Sequence, residues 1–164
     1  MTLVTTHYLE MRDPTELRPK RCPDARFQVR EATTPQWRLN RFLYSWVGAE
    51  WQWTDNLSWS EQAWRDYAED PGLRTFVATY DGSIAGYFEL RERDNDVEIL
   101  YFGLTPDFIG KGLGGPLLTC AIEAAWTDSP KRVWVHTCDL DHAAARANYE
   151  ARGMRVYKTE EEDT

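Results

Sequence analysis

The stretch Val97-Glu98-Ile99-Leu100-Tyr101-Phe102-Gly103-Leu104-Thr105-Pro106 runs on into Asp107-Phe108-Ile109-Gly110-Lys111-Gly112-Leu113-Gly114-Gly115-Pro116-Leu117-Leu118, and its reading decides the fold. It opens as a β run of branched and aromatic residues that carries one carboxylate, Glu98. It breaks at Thr105-Pro106, passes through a glycine cluster, and leaves as a helix on which Leu113, Leu117, Leu118, Ala121, Ile122 and Ala125 recur at helical spacing. Strand, glycine loop and helix N-terminus together present bare backbone N–H groups to an anion. The first-turn N–H groups of a helix lack intrahelical partners, and the macrodipole places positive partial charge there. Glycines remove the Cβ atoms that would hold a phosphate off. Pro116 suits a first helical turn, where a missing N–H costs little.

The loop is neither of the two commonest phosphate motifs. Lys111 is followed by Gly112, so no Gly-Lys-Ser/Thr is present, and Gly110-x-Gly112-x-Gly114 has the wrong last spacing for a dinucleotide fingerprint. A plain glycine connection is the competing reading, and four glycines between Gly110 and Gly115 weigh against it.

Outward from this stretch, 164 residues make one domain, 1–164, with enough chain for a full core. It has an N-terminal strand and loop over 1–26, the strand, loop and helix unit over 97–126, and an acidic tail over 160–164 read as a solvated end. The 42% hydrophobic and 28% charged fractions are those of a soluble globular chain. Eight Trp, eight Tyr and six Phe exceed the needs of such a core and leave aromatics to line a site. A net charge of −8 argues against nucleic-acid binding and suits a cationic or neutral small partner. Cys22, Cys120 and Cys138 are odd in number and lack metal or CxxC spacing, which points to reduced thiols and the cytoplasm. No apolar run reaches membrane-spanning length, and three scattered histidines give no metal site.

In chain order, strands are expected at Val4–Met11, Phe27–Glu31, Thr75–Tyr80, Ile84–Arg93, from Val97, at Arg132–Thr137 and at Met154–Thr159. A first helix begins at Thr33-Thr34-Pro35 with a threonine cap, and a second at Ser58-Trp59-Ser60-Glu61. Asp81-Gly82 turns a hairpin, and Ala143–Arg152 is a short helix stopped by Gly153. Meander strands followed by crossovers make a mixed α/β sheet.

Ile109-Gly110-Lys111-Gly112-Leu113-Gly114 resembles the phosphate loop of the GCN5-related N-acetyltransferases, Arg/Gln-x-x-Gly-x-Gly/Ala, with Ile109 where that family has Arg or Gln. Ala145 to Met154 is similar to the family's Ala-x-x-Leu-Tyr-x-x-x-Gly-Phe signature and contributes Tyr149 and Gly153, with Met154 in place of Phe. The element order agrees, and the resemblance covers about Phe27 to Tyr157. It implies an acyl-CoA N-acyltransferase fold: a central, mostly antiparallel sheet with splayed strands, flanked by helices.

The same resemblance implies acetyl-CoA as cosubstrate, with no metal. Phe102, Gly103 and Leu104 are the expected pairing edge for its pantetheine arm; Ile109, Gly110, Lys111, Gly112, Leu113, Gly114 and Gly115 are the expected seat of its pyrophosphate. His142 stands where the family often has Asn. Tyr149 is the implied acid for the leaving thiolate, a role for which a phenol with a pKa of about 10 is suited.

Transfer to an alkylamine also needs a proton acceptor. Glu98, a carboxylate on an apolar strand, is the first candidate, and Glu89 on the preceding strand is its rival. Acceptor contacts are expected from Trp46, Trp51, Trp53, Glu89 and His136, where aromatics and carboxylates suit a cationic or aromatic amine. The function expected is direct acetyl transfer to a small primary amine. A protein N-terminus or lysine as acceptor stays open, as does a non-catalytic CoA-binding module or a homodimer.

Overall fold

The computed structural model describes residues 2–163. Its strands are β1 (Leu3–Met11), β2 (Phe27–Ala32), β3 (Leu73–Tyr80), β4 (Ser83–Arg93), β5 (Asp96–Leu104), β6 (Arg132–Cys138) and β7 (Arg155–Asp163). Its helices are α1 (Trp37–Gly48), α2 (Glu61–Ala68), α3 (Gly114–Trp126) and α4 (Ala145–Ala151). The strands form one sheet in the order β2-β3-β4-β5-β6-β1-β7. Every neighbouring pair is antiparallel except β5 and β6. The mixed, mostly antiparallel sheet expected from the sequence is the one found.

Turn chemistry sets the meander. Asp81 and Gly82 have φ of 50° and 86°, and Asp94 and Asn95 have φ of 54° and 68°. Both pairs adopt the left-handed conformations that two-residue hairpins require and that Asp, Asn and Gly tolerate best. The α3 face of the sheet is closed by Leu117, Leu118, Ala121 and Ile122, all at 0% exposure, against Phe76, Phe88, Leu90, Val97 and Ile99. Each such large aliphatic side chain contributes about 1.5–3 kcal/mol by leaving water. On the other face α1 sets Leu43 and Val47 on Tyr87, with Trp53 and Tyr101 packed alongside.

One irregularity shapes the site. Glu89 pairs with Tyr101 and Leu90 with Ile99, so Leu100 is an extra residue in β5. Such a bulge bends its strand and sharpens the twist. It falls just after the last pairing of β5 with β6, which spans only Asp96–Glu98 against Arg132–Trp134. Beyond it the two strands part.

Two expectations change, and the place of β1 is new. The first helix starts at Trp37 with Gln36 as N-cap and no side-chain cap bond, so neither threonine caps it; Pro35 holds the residue before it out of helical conformation. Ser60 does cap the second, accepting from Ala63 N at 3.1 Å. The acidic tail is not a free end: Glu160 to Asp163 complete β7 and pair with β1, while Thr164 lies outside the described residues. Finally, β1 is inserted between β6 and β7, antiparallel to both. No described helix is long and apolar enough to cross a membrane.

Candidate active site

The parting of β5 and β6 opens a cavity of about 1160 Å³. From Ile99 onward β5 has no partner on its β6 side, and Phe102, Gly103 and Leu104 line the gap. The strand therefore offers unpaired backbone donors and acceptors to whatever enters. Its line continues through Ile109, Gly110, Gly112, Leu113, Gly114 and Gly115, which also line the cavity. Gly110 and Gly112 have φ of +81° and +79°, and nothing lies within 4 Å of where their Cβ atoms would be. Only glycine takes these turns without strain. The loop delivers the unpaired N–H groups of the first turn of α3 to the cavity wall, a fit for phosphate. Lys111 does not line it; its Nζ sits 5.4 Å from the Phe108 ring centroid.

α4 closes one side. Tyr149 lines the cavity, is 5% exposed, and packs its ring 6.1 Å from that of Phe102. Burial first, and the charge of Asp141 second, push its phenol above the ordinary value, so it stays protonated at working pH. One residue earlier, Asn148 Nδ2 donates to the Gly114 carbonyl at 3.1 Å and ties α4 to the glycine loop.

The loop after β6 reaches across to the α1–α2 loop. Asp141 accepts from Thr137 Oγ1 at 2.6 Å and Cys138 N at 3.0 Å with one oxygen, and from Trp53 Nε1 at 3.3 Å with the other. Beside it, the rings of Trp51 and His142 meet edge to face with centroids 4.9 Å apart. Trp51, Trp53, Asp141 and His142 all line the cavity, so the two contacts bridge it.

Another wall of the cavity is built on β6, β1 and β7. His136 lines the cavity with its side chain 44% exposed. Its Nδ1 lies 3.8 Å from Glu98 Oε2, and the other Glu98 oxygen accepts from Arg91 Nη2 at 3.1 Å. Glu98 itself is 5% exposed and does not line the cavity. Tyr8 stands 5.6 Å from the His136 ring and donates to Glu160 Oε2 at 3.0 Å. Asp55, from the α1–α2 loop, and Glu160 and Glu162 add carboxylates to the cavity lining.

Two expected acceptor contacts lie elsewhere. Glu89 is 1% exposed and does not line the cavity; Asn40 Nδ2 and the Tyr67 hydroxyl, from α1 and α2, both donate to it. Burial pushes its carboxyl up to about 7. Trp46 packs on Phe42, centroids 5.3 Å apart, away from the cavity. Tyr8, Asp141, Asn148, Glu160 and Glu162 escaped the sequence reading. Only Asn148 carried a signal there, standing directly before Tyr149 where the matched signature has Leu. Among the described residues, no three His, Cys, Asp or Glu side chains gather to hold a metal.

Comparison with known proteins agrees with this geometry. No curated protein matches the chain. The GCN5-related N-acetyltransferase from Kribbella flavida superposes with a TM-score of 0.68 at 16% identity, over 94% of this chain and 55% of that one. The GCN5-related N-acetyltransferase from Sphaerobacter thermophilus gives 0.69 at 13% identity, over 97% and 50%. The chain thus spans about half the length of these two neighbours. An aminoglycoside acetyltransferase from an uncultured soil metagenomic sample gives 0.63 at 15% identity, over 79% and 89%. These likenesses establish the fold, and the model of the acetyltransferase (GNAT) family matches residues 40–154, from the first helix through the glycine loop to α4: the chain belongs to that family.

Proposed function

We propose that this chain transfers an acetyl group from acetyl-CoA to a small primary amine that carries positive charge or an aromatic ring. One observation carries the reading: the free edge of β5, the first residues of α3, Tyr149 and His136 all line a single cavity. Phe102 to Leu104 suit an amide-bearing arm, and the glycine loop suits a diphosphate. The thioester supplies the activated acyl group. The amine nitrogen attacks its carbonyl carbon; the amine proton passes to His136, and Glu98 behind the ring balances the imidazolium. The C–S bond breaks and the Tyr149 hydroxyl protonates the departing sulfur. Glu98 thus serves the base role through His136, not by touching the amine. Asp55, Glu160 and Glu162 with Trp51 and Trp53 favour a cationic or aromatic acceptor. The free thiols of Cys22, Cys120 and Cys138 favour the cytoplasm.

Calorimetry with acetyl-CoA tests the cosubstrate half. Wild type should bind, and Gly112→Glu should not, since the variant adds a carboxylate to the loop at a φ of +79°; circular dichroism checks that its fold is kept. Thiol release on adding cationic and aromatic primary amines then tests the transfer. Absence of binding by wild type would sink the proposal.

A further inference from the structure

Phe102 and Gly103, successive residues of the free edge of β5, look to opposite faces of the sheet. Tyr149 meets the first, its ring centroid 6.1 Å from that of Phe102. Trp53 meets the second: its Cη2 lies 3.9 Å from where a Cβ on Gly103 would sit. The proposed acid and this indole therefore stand on either side of one stretch of strand, and Asp141 joins them. Asp141 Oδ1 accepts from Trp53 Nε1 at 3.3 Å, and its charge adds to burial in raising the Tyr149 phenol.

The indole is fixed in place. A Cβ at position 48 would lie 2.5 Å from Trp53 Cβ and 2.6 Å from its Cε3, so Gly48 is what leaves room for it. Trp53 N donates to the Gly48 carbonyl at 3.2 Å. Tyr101 and Tyr44 pack against the ring with centroids 5.3 and 5.8 Å away. Asp141 is held in turn by Thr137 Oγ1 and Cys138 N. At the apex of the gap, just past the last pair of β5 with β6, the lining residues are Ile99 and Val135, each 2% exposed. Both belong to the packed core on the α3 face.

We propose that Trp53, pinned by Asp141, walls the acyl end of the gap, so that acetyl is accepted and longer acyl chains are excluded. The inference rests on the acetyl-CoA reading above. An arm laid along Phe102 to Leu104 from the glycine loop brings its sulfur level with Tyr149, and the acyl carbon is one bond further on. From there the chain faces Ile99 and Val135 at the apex and Trp53 at its side. A methyl group fits against these apolar surfaces. Each further methylene must displace a packed ring or a core side chain.

Calorimetry with free CoA, acetyl-CoA, butyryl-CoA and hexanoyl-CoA tests this on wild type, Trp53→Ala, Trp53→Phe and Asp141→Ala. Wild type should bind butyryl-CoA about tenfold or more weakly than acetyl-CoA, and hexanoyl-CoA more weakly still. Trp53→Ala should erase that difference while binding free CoA as wild type does. Trp53→Phe has a smaller ring and no N–H, and Asp141→Ala releases the indole; each should narrow the difference. These two decide the outcome if the alanine variant at 53 does not fold. Equal affinity of wild type for acetyl- and butyryl-CoA overturns the proposal. So does a Trp53→Ala protein that loses affinity for all four ligands alike, because Trp53 then only supports the cavity wall. If wild type binds none of the four, the acetyl-CoA reading itself has failed and this proposal falls with it.

Discussion

Glu98 Oε2 stands 3.8 Å from Nδ1 of His136, while Oε1 is occupied by Arg91 at 3.1 Å. The carboxylate is buried and the imidazole faces the cavity. With Nδ1 toward Glu98, Nε2 is the nitrogen left for an incoming amine. The charged groups around the ring are Glu98 with Arg91 behind it and, across Tyr8, Glu160 with Lys158.

His136→Gln should therefore lower kcat/KM toward a primary-amine probe by roughly a hundred- to ten-thousandfold, the usual worth of a positioned base. Its acetyl-CoA affinity, read by calorimetry, should not move. Glu98→Gln keeps the volume and removes the charge. It should cost about tenfold in rate toward the same probe, because the imidazolium loses its counter-charge. An unchanged rate returns Glu98 to a purely structural pair with Arg91.

Tyr149→Phe isolates the proposed acid. The ring is buried against Phe102 and the α3 core, and phenylalanine preserves that packing. We expect kcat to fall by roughly a hundredfold or more while acetyl-CoA binding and melting temperature stay close to wild type. Because burial holds the phenol above its ordinary value, the basic limb of the wild-type profile should not descend below about pH 10 on account of this residue.

The glycine loop was legible in the sequence because local pattern specifies it, glycines between a strand and a periodic helix, and Gly110 and Gly112 do take positive φ; Tyr149 was singled out only through the resemblance of Ala145–Met154 to the family's signature. What depends on distant pairing was not legible. β1 joins β6 and β7 through partners such as His7 with Thr137 and Thr159, and nothing near His7 encodes that choice. Glu160 to Asp163 read as a solvated tail because edge strands tolerate charge. Glu98 was read correctly as a carboxylate on an apolar strand. That it stands behind His136 depends on three residue pairs of parallel register between β5 and β6. Glu89 read as its rival, and lies apart from the cavity where Asn40 and Tyr67 reach it from helices roughly fifty and twenty residues away.

Glu89 carries the last prediction, one of stability. Desolvation raises its carboxyl to about 7 against an ordinary 4.5, outweighing the lowering by Tyr67 and Asn40. Between those values the folded state holds a proton that the unfolded state has released, so folding stability falls as pH rises. The contribution is fully present below about 4.5 and lost as pH passes 7. Integrated over the window it amounts to roughly 3 kcal/mol. Urea midpoints of wild type should decline between pH 5 and pH 8, the reverse of the trend that surface ion pairs produce. Glu89→Gln has no proton to release there, so its curve should lack this decline. If the two curves run parallel, Glu89 is ionised throughout, and Tyr67 and Asn40 hold a buried carboxylate, not a carboxylic acid.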